Sequence, residues 1–295
     1  MREYLESFMT ECGYPDESKI ELIAAFDKLT SNGGTAFYSL INAYANSYNV
    51  DYTAALSTVR EIAASVDVHK YTAELLLFLC YTQALRKHYE NADIPLDIYH
   101  NTVLDLKYKL DECRCVYGVC GSFVAYWFPG FFKLERFALG RLQFELVPLG
   151  VNYSKDGVNL SPDSKVINVH IPRTCTPLYR DVVVESYRLA AEFFRPVLGD
   201  DIAFICNSWL LFPRHNEILA EDSNIRHFIS DYELISHGEY KDYSETWRLF
   251  DTMYAGDTDT LPANTSLRSA YVDLMKRGEK TGWGKGIFIY KKSDF

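Results

Sequence analysis

The chain has 295 residues, 48% of them hydrophobic and 24% charged, with a formal net charge of −10. That length allows two domains of ordinary size, and that apolar fraction allows a substantial core. The acidic balance excludes duplex nucleic acid and an acidic membrane surface as expected partners, because both call for a basic face.

The opening residues Met1-Arg2-Glu3-Tyr4-Leu5-Glu6 carry acids and no apolar targeting stretch. The apolar run Leu75-Leu76-Leu77-Phe78-Leu79-Cys80 is far too short to span a bilayer. Seven cysteines, an odd number in a long chain, read as free thiols and place the protein in a reducing cytoplasm. Cys113, Cys115 and Cys120 are clustered but lack a C-x2-C pair and a nearby histidine. They read as partly buried cysteines, and no metal is expected.

Helical periodicity dominates up to about residue 133. Pro15 and Asp16 mark a start, after which Leu22, Phe26 and Leu29 follow the 3.6 repeat. Gly33-Gly34 breaks the chain before a segment at 35–47. Asp51 can cap the next helix, whose apolar face is Ala55, Leu56, Val59 and Ile62. Further helices are expected over about 71–89 and from Pro95 to about 113. Together these make an all-α N-terminal domain, residues 1–133. Residues 117–132, with Tyr126-Trp127-Phe128 and Phe131-Phe132, are too aromatic for an exposed linker. They read as packing between domains or as a pocket wall.

Over 134–295 the pattern becomes α/β. Residues 141–146 alternate polar and apolar as a strand does, and 151–158, with its Asp156-Gly157 turn, is expected to close a hairpin with it. A strand at 166–171 places Ile167, Val169 and Ile171 on one face and Asn168 and His170 on the other. After the turn Pro172-Arg173-Thr174-Cys175, Thr176 is a fitting N-cap and Pro177 a fitting first residue of a helix ending before Pro196. Val183, Tyr187, Ala190 and Phe194 line its buried side. A helix start just after a strand end gathers unpaired N–H groups and partial positive charge, which suits an anion such as a phosphate. Residues 202–212 read as a central strand, 215–220 and a segment capped by Ser223 as short helices, and 232–235 as a strand. Residues 244–250 read as helix, 251–264 as loop, 267–276 as helix and 283–290 as the last strand, with Gly282-Trp283-Gly284-Lys285-Gly286 a flexible turn into it. The order predicts a mixed sheet flanked by helices, so the molecule as a whole is α+β, an all-α domain followed by an α/β one.

Four groups of residues carry a resemblance: Arg141-Leu142-Gln143-Phe144-Glu145, Val169-His170-Ile171-Pro172, Cys206-Asn207-Ser208-Trp209-Leu210-Leu211 and Asp222-Ser223-Asn224-Ile225. Together they resemble a bacterial family of two-domain acyltransferases, which join a helical N-acyltransferase N-terminal domain to a C-terminal domain similar to the GNAT superfamily. The resemblance covers nearly the whole chain. It implies a GNAT-like mixed sheet, an acyl-CoA donor and a small-molecule acceptor with an amine or hydroxyl. It also implies that strand 166–171 splays from strand 202–212 to admit the pantetheine arm, with the pyrophosphate at the helix start. The donor-binding residues would be Arg173, Thr174, Cys175, Thr176 and Arg180. The loop departs from the superfamily's Q/R-x-x-G-x-G/A pattern in having no glycine, and Pro177 removes one N–H donor. Arg173 and Arg180 are expected to compensate by charge.

His170 is the first candidate for general base, since its ordinary pKa near neutrality suits deprotonating an amine or hydroxyl. Glu145, on the polar face of the earlier strand, would share that role or orient His170. Ser208 and Cys206 share a strand face, and either would protonate a departing thiolate or bond the pantetheine arm. Asn168, Cys206 and Asn224 are the candidate substrate contacts. The alternatives are a non-catalytic binding or regulatory protein on the same scaffold and a hydrolase using Cys206 with His170.

Overall fold

The computed structural model describes residues 1–31, 34–155, 157–174, 176–200 and 202–291. The chain divides into two compact units, Met1–Phe137 and Ala138–Phe295.

The first unit is helical: α1 (Arg2–Glu11), α2 (Asp16–Ser31), α3 (Gly34–Asn46), α4 (Tyr52–Ser65), α5 (Lys70–Asn91), α6 (Leu96–Tyr117) and the single turn α7 (Pro129–Phe132). Its centre is α5, which packs against α1, α2, α3, α4 and α6. That placement explains the apolar run: Leu75 to Leu79 are each fully buried, as a helix apolar on all sides must be. Local rules set the ends. The Asp51 carboxylate accepts from the Ala54 amide at 2.9 Å, and α6 stops at Gly118, whose φ of +67° favours glycine. The aromatic stretch read as interdomain packing contributes to the helical unit's own core. The rings of Phe128 and Phe132 lie edge-on and tilted to Phe78, at 5.1 and 4.9 Å, and Tyr44 donates to the Phe132 carbonyl. Among the described residues no helix is long and apolar enough to cross a membrane.

A short strand, β1 (Arg136–Leu139), straddles the division. There follow β2 (Leu142–Pro148), β3 (Tyr153–Lys155), β4 (Val158–Leu160), β5 (Lys165–His170), α8 (Arg180–Leu198) and β6 (Ile202–Ser208). The chain ends with α9 (His215–Ile218), α10 (Asn224–Ser230), β7 (Glu233–Glu239), α11 (Trp247–Phe250), α12 (Ser266–Lys276) and β8 (Gly282–Tyr290). The six-stranded sheet has the order β1-β2-β5-β6-β8-β7. Within it β5 and β6 run parallel, joined through α8, while β2–β5, β6–β8 and β7–β8 are antiparallel.

Helix α8 covers one face of the sheet. Its buried side is Val183, Tyr187, Ala190 and Phe194, and the Tyr187 ring lies 5.4 Å from Phe204 and 4.9 Å from Phe288. On the other face a second cluster joins Leu149, Tyr153, Val166, Ala203, Ile205 and Ile287. A third gathers α11 and α12 around Phe250, Tyr271 and Leu274.

Four sequence expectations are corrected. Residues 151–158 do not pair with β2; β3 and β4 form their own ribbon, Gly157 at φ +84° sits in its turn, and β2 pairs with β5 instead. Asp156 lies outside the described residues. Strand β6 ends at Ser208, and Trp209–Leu211 is a 3-10 turn. Helix α8 starts at Arg180 rather than Pro177 and continues through Pro196 to Leu198. A proline in the last turn breaks one ladder bond without ending the helix. The glycines at 282, 284 and 286 are strand residues of β8 rather than a flexible turn.

Candidate active site

The register of β2 on β5 sets Glu145 opposite Asn168 and Gln143 opposite His170. Paired residues point to one face, and alternate residues along a strand share it. Glu145, Asn168 and His170 therefore converge on the face opposite α8. His170 Nε2 and Glu145 Oε1 are 2.7 Å apart, and the Asn168 amide donates to the same oxygen at 3.2 Å. Both side chains of the His–Glu pair are more than four-fifths buried. The Asn168 amide nitrogen also lies 3.2 Å from Nε2. With Glu145 ionised the carboxylate can only accept, and Nε2 then carries the proton shared with it. A carboxylate so placed orients the imidazole and would stabilise it in its charged form.

Beside this triad the sheet opens. The β5–β6 ladder joins Ile167 to Phe204 and Asn168 to Ile205. Beyond those pairs, β5 continues to His170 and β6 to Ser208 with no further pairing between them among the described residues. The amino end of α8 follows. Its N-cap, Tyr179, makes no side-chain cap bond, and the first intrahelical bond runs from the Val183 amide to the Tyr179 carbonyl at 3.1 Å. The amides of Arg180, Asp181 and Val182 therefore point outward at the positive end of a 19-residue helix.

The loop before α8 is held by side chains. Arg141 donates from Nε to the Thr176 carbonyl at 2.6 Å and from Nη1 to the Pro172 carbonyl at 3.0 Å. Thr174 Oγ1 accepts from the Thr176 amide at 3.2 Å. With its carbonyl and amide both committed, Thr176 does not act as the helix cap, which accounts for the later start of α8. Arg173 pairs with Asp251, whose other oxygen accepts from Arg268 Nη2 at 2.6 Å. Arg180 pairs with Asp231 at 2.6 Å; burial pushes the Asp231 carboxyl up, and the arginine opposes that. Both arginines stay exposed, so each has solvent-facing surface near the helix tip. Cys175 lies outside the described residues.

The remaining candidates are placed elsewhere. Asn168 bridges to Ile205, so Cys206 points with Ile167 and Val169 to the α8 face, away from His170. It is fully buried, and burial pushes its thiol well above the usual range. The structure thus does not bring Cys206 and His170 together for thiol catalysis. Ser208 lies half-buried at the strand end, where its oxygen accepts from the Leu210 amide at 3.1 Å and caps the 3-10 turn. Asn224 opens α10 behind the Ser223 cap, and α10 packs on α8 rather than on the triad's face. Sequence reasoning missed Arg141, Asp231 and Asp251 as loop-holding residues. Their only signal is charge, and their partners lie 31 to 78 residues away.

Residues 137–288 match the GNAT-like C-terminal domain, and residues 3–134 match the N-acyltransferase N-terminal domain. Solved structures similar to the chain include an acyltransferase mutant in complex with octanoyl-CoA. It is 22% identical with a TM-score of 0.78, covering 98% of this chain and 88% of that one. An acyltransferase in complex with decanoyl-CoA and teicoplanin is 21% identical, with a TM-score of 0.74 and coverage of 97% and 87%. One in complex with decanoyl-CoA is 24% identical, with a TM-score of 0.72 and the same coverage. Among curated proteins none matches. With both family descriptions placed in order along it, and a sheet that parts beside a helix tip, the chain belongs to the two-domain acyltransferase family with a GNAT-like C-terminal domain.

Proposed function

We propose that this protein moves an acyl group from acyl-CoA to an amine or hydroxyl of a small molecule. The observation that carries this reading is the parting of β5 and β6 at the very end of the strand that bears His170. A thioester arm laid in that gap puts its pyrophosphate toward the outward amides of α8 and its carbonyl beside the triad. The acceptor's nitrogen or oxygen bonds to the carbonyl carbon, and its proton passes to the His170 imidazole. The C–S bond then breaks, and the departing thiolate takes a proton from the imidazolium or from solvent. Glu145 holds the imidazole and balances its charge throughout. The octanoyl- and decanoyl-CoA complexes of similar structures support medium-chain esters as first donors, and the teicoplanin complex supports a large, polar acceptor. The six described cysteines are free thiols, which supports action in the reducing cytoplasm.

Calorimetric titration with octanoyl-CoA tests donor binding, and release of free CoA in the presence of amine acceptors tests turnover. His170→Ala is expected to lower turnover about 10²–10⁴-fold in a variant that circular dichroism shows to be folded. Absence of heat at millimolar octanoyl-CoA, or full activity in His170→Ala, would overturn the reading.

A further inference from the structure

The loop between β5 and α8 has no glycine, yet it is held from outside at Pro172 and Thr176. Arg141 sits at the turn between β1 and β2, and its guanidinium grips two loop carbonyls, Pro172 and Thr176, on either side of Arg173 and Thr174. Its own backbone is fixed as well. The Arg141 amide donates to Ser186 Oγ at 2.8 Å, and that hydroxyl in turn donates to the Val182 carbonyl at 2.6 Å within α8. Ser186 is fully buried. Gly140, at φ +70°, allows the approach, since a Cβ there would lie 2.7 Å from Ser186 Oγ. One residue therefore ties the β1–β2 turn, the loop and the second turn of α8 into a single geometry.

The grip also has a direction. Among the described residues the peptides are trans, so a carbonyl and the amide that follows it point opposite ways. With the Pro172 carbonyl turned to Arg141, the Arg173 N–H points to the loop's other side. We infer that Arg141 is a positioning residue for the donor: its two-point grip gives the glycine-free loop the shape that receives the pyrophosphate of acyl-CoA. It does this through the loop's own carbonyls, two of which its guanidinium holds. This rests on the acyl-CoA reading above.

The test compares Arg141→Met and Arg141→Lys with the natural protein on two donors. Octanoyl-CoA carries the pyrophosphate; S-octanoyl-pantetheine has the same thioester without it. The methionine keeps the apolar stem, and the lysine keeps a charge but cannot fork to two carbonyls. For octanoyl-CoA, both variants are expected to raise KM and Kd by about tenfold or more, the loss of one or two charged hydrogen bonds, with kcat changed far less. For S-octanoyl-pantetheine the ratio of natural to variant kcat/KM is expected to fall toward one. An octanoyl-CoA Kd unchanged in both variants overturns the inference. So does an equal loss on both donors, which would mean a general structural role. Failure of the natural protein to bind octanoyl-CoA at all would instead sink the acyl-CoA reading itself.

Discussion

Two histidines in the second unit show how surroundings decide what a residue can do. His170 faces a carboxylate at 2.7 Å on a strand end, with Nε2 committed to it. His215, on α9, is fully buried. It donates from Nδ1 to the Leu210 carbonyl at 2.9 Å and accepts at Nε2 from the Tyr271 hydroxyl at 2.6 Å. Burial pushes its pKa down to about 4, with the Leu210 carbonyl opposing. The sign of the pH effect follows. An unfolded imidazole titrates near 6.5, so between that value and about 4 the unfolded chain binds more protons than the folded one. Stability from this residue is complete above pH 6.5 and drains away as pH falls toward 4. The expected loss between pH 8 and pH 5 is about 2 kcal/mol from His215 alone. Urea unfolding of the natural protein and of His215→Gln at both pH values measures it. The variant starts less stable at pH 8, and its further drop to pH 5 is expected to be smaller by that amount. Equal drops would mean that His215 is solvated or charged in the fold.

At the scale of elements, what was legible in the sequence is what local rules control. The alternation in β2 and β5 needed only a covered face and an open one, and it sufficed to put Asn168 and His170 on one side and to point Glu145 toward a polar role. The buried stripe of α8 followed from the 3.6 repeat. Its first residue did not, because the local cap rule favours Thr176-Pro177 while an arginine 35 residues upstream captures the Thr176 carbonyl. The ion pairs that brace the loop span 51 and 78 residues and leave no local trace. Strand β8 was the hardest to read, since glycine at every second position looks like a turn. The glycines are there because other backbone lies against the strand. A Cβ at Gly284 would sit 2.2 Å from the Leu211 carbonyl oxygen, one at Gly282 would sit 2.3 Å from the Gly238 carbonyl, and one at Gly286 would sit 2.6 Å from Tyr232 Cβ. Gly284→Ala must therefore displace the 3-10 turn after β6. It is expected to destabilise the protein by about 1–3 kcal/mol as an overpacking change, read as a lower urea midpoint. An unchanged midpoint would mean that the Leu211 segment yields freely.

For the whole molecule, the cysteines report how closed each unit is. Cys12, Cys80, Cys113 and Cys120 are buried in the helical unit and Cys206 in the sheet unit, whereas Cys115 is exposed. Reaction with an alkylating reagent requires both contact and a thiolate. The buried thiols fail on both counts: they are shielded, and burial pushes Cys120 up to about 11 and Cys12 and Cys113 to about 12, with Cys80 and Cys206 higher still. In a Cys175→Ser background, brief iodoacetamide treatment at pH 8 is therefore expected to modify Cys115 alone, read by peptide mass spectrometry. Cys80 and Cys206 should label only at the rate at which their units open, so that adding urea accelerates both. Their two rates, followed separately, measure the opening free energy of each core within one intact chain. Rapid labelling of Cys206 in the folded protein would contradict the closed α8 face of the sheet. It would also restore the thiol chemistry that the opposed orientation of Cys206 and His170 argues against.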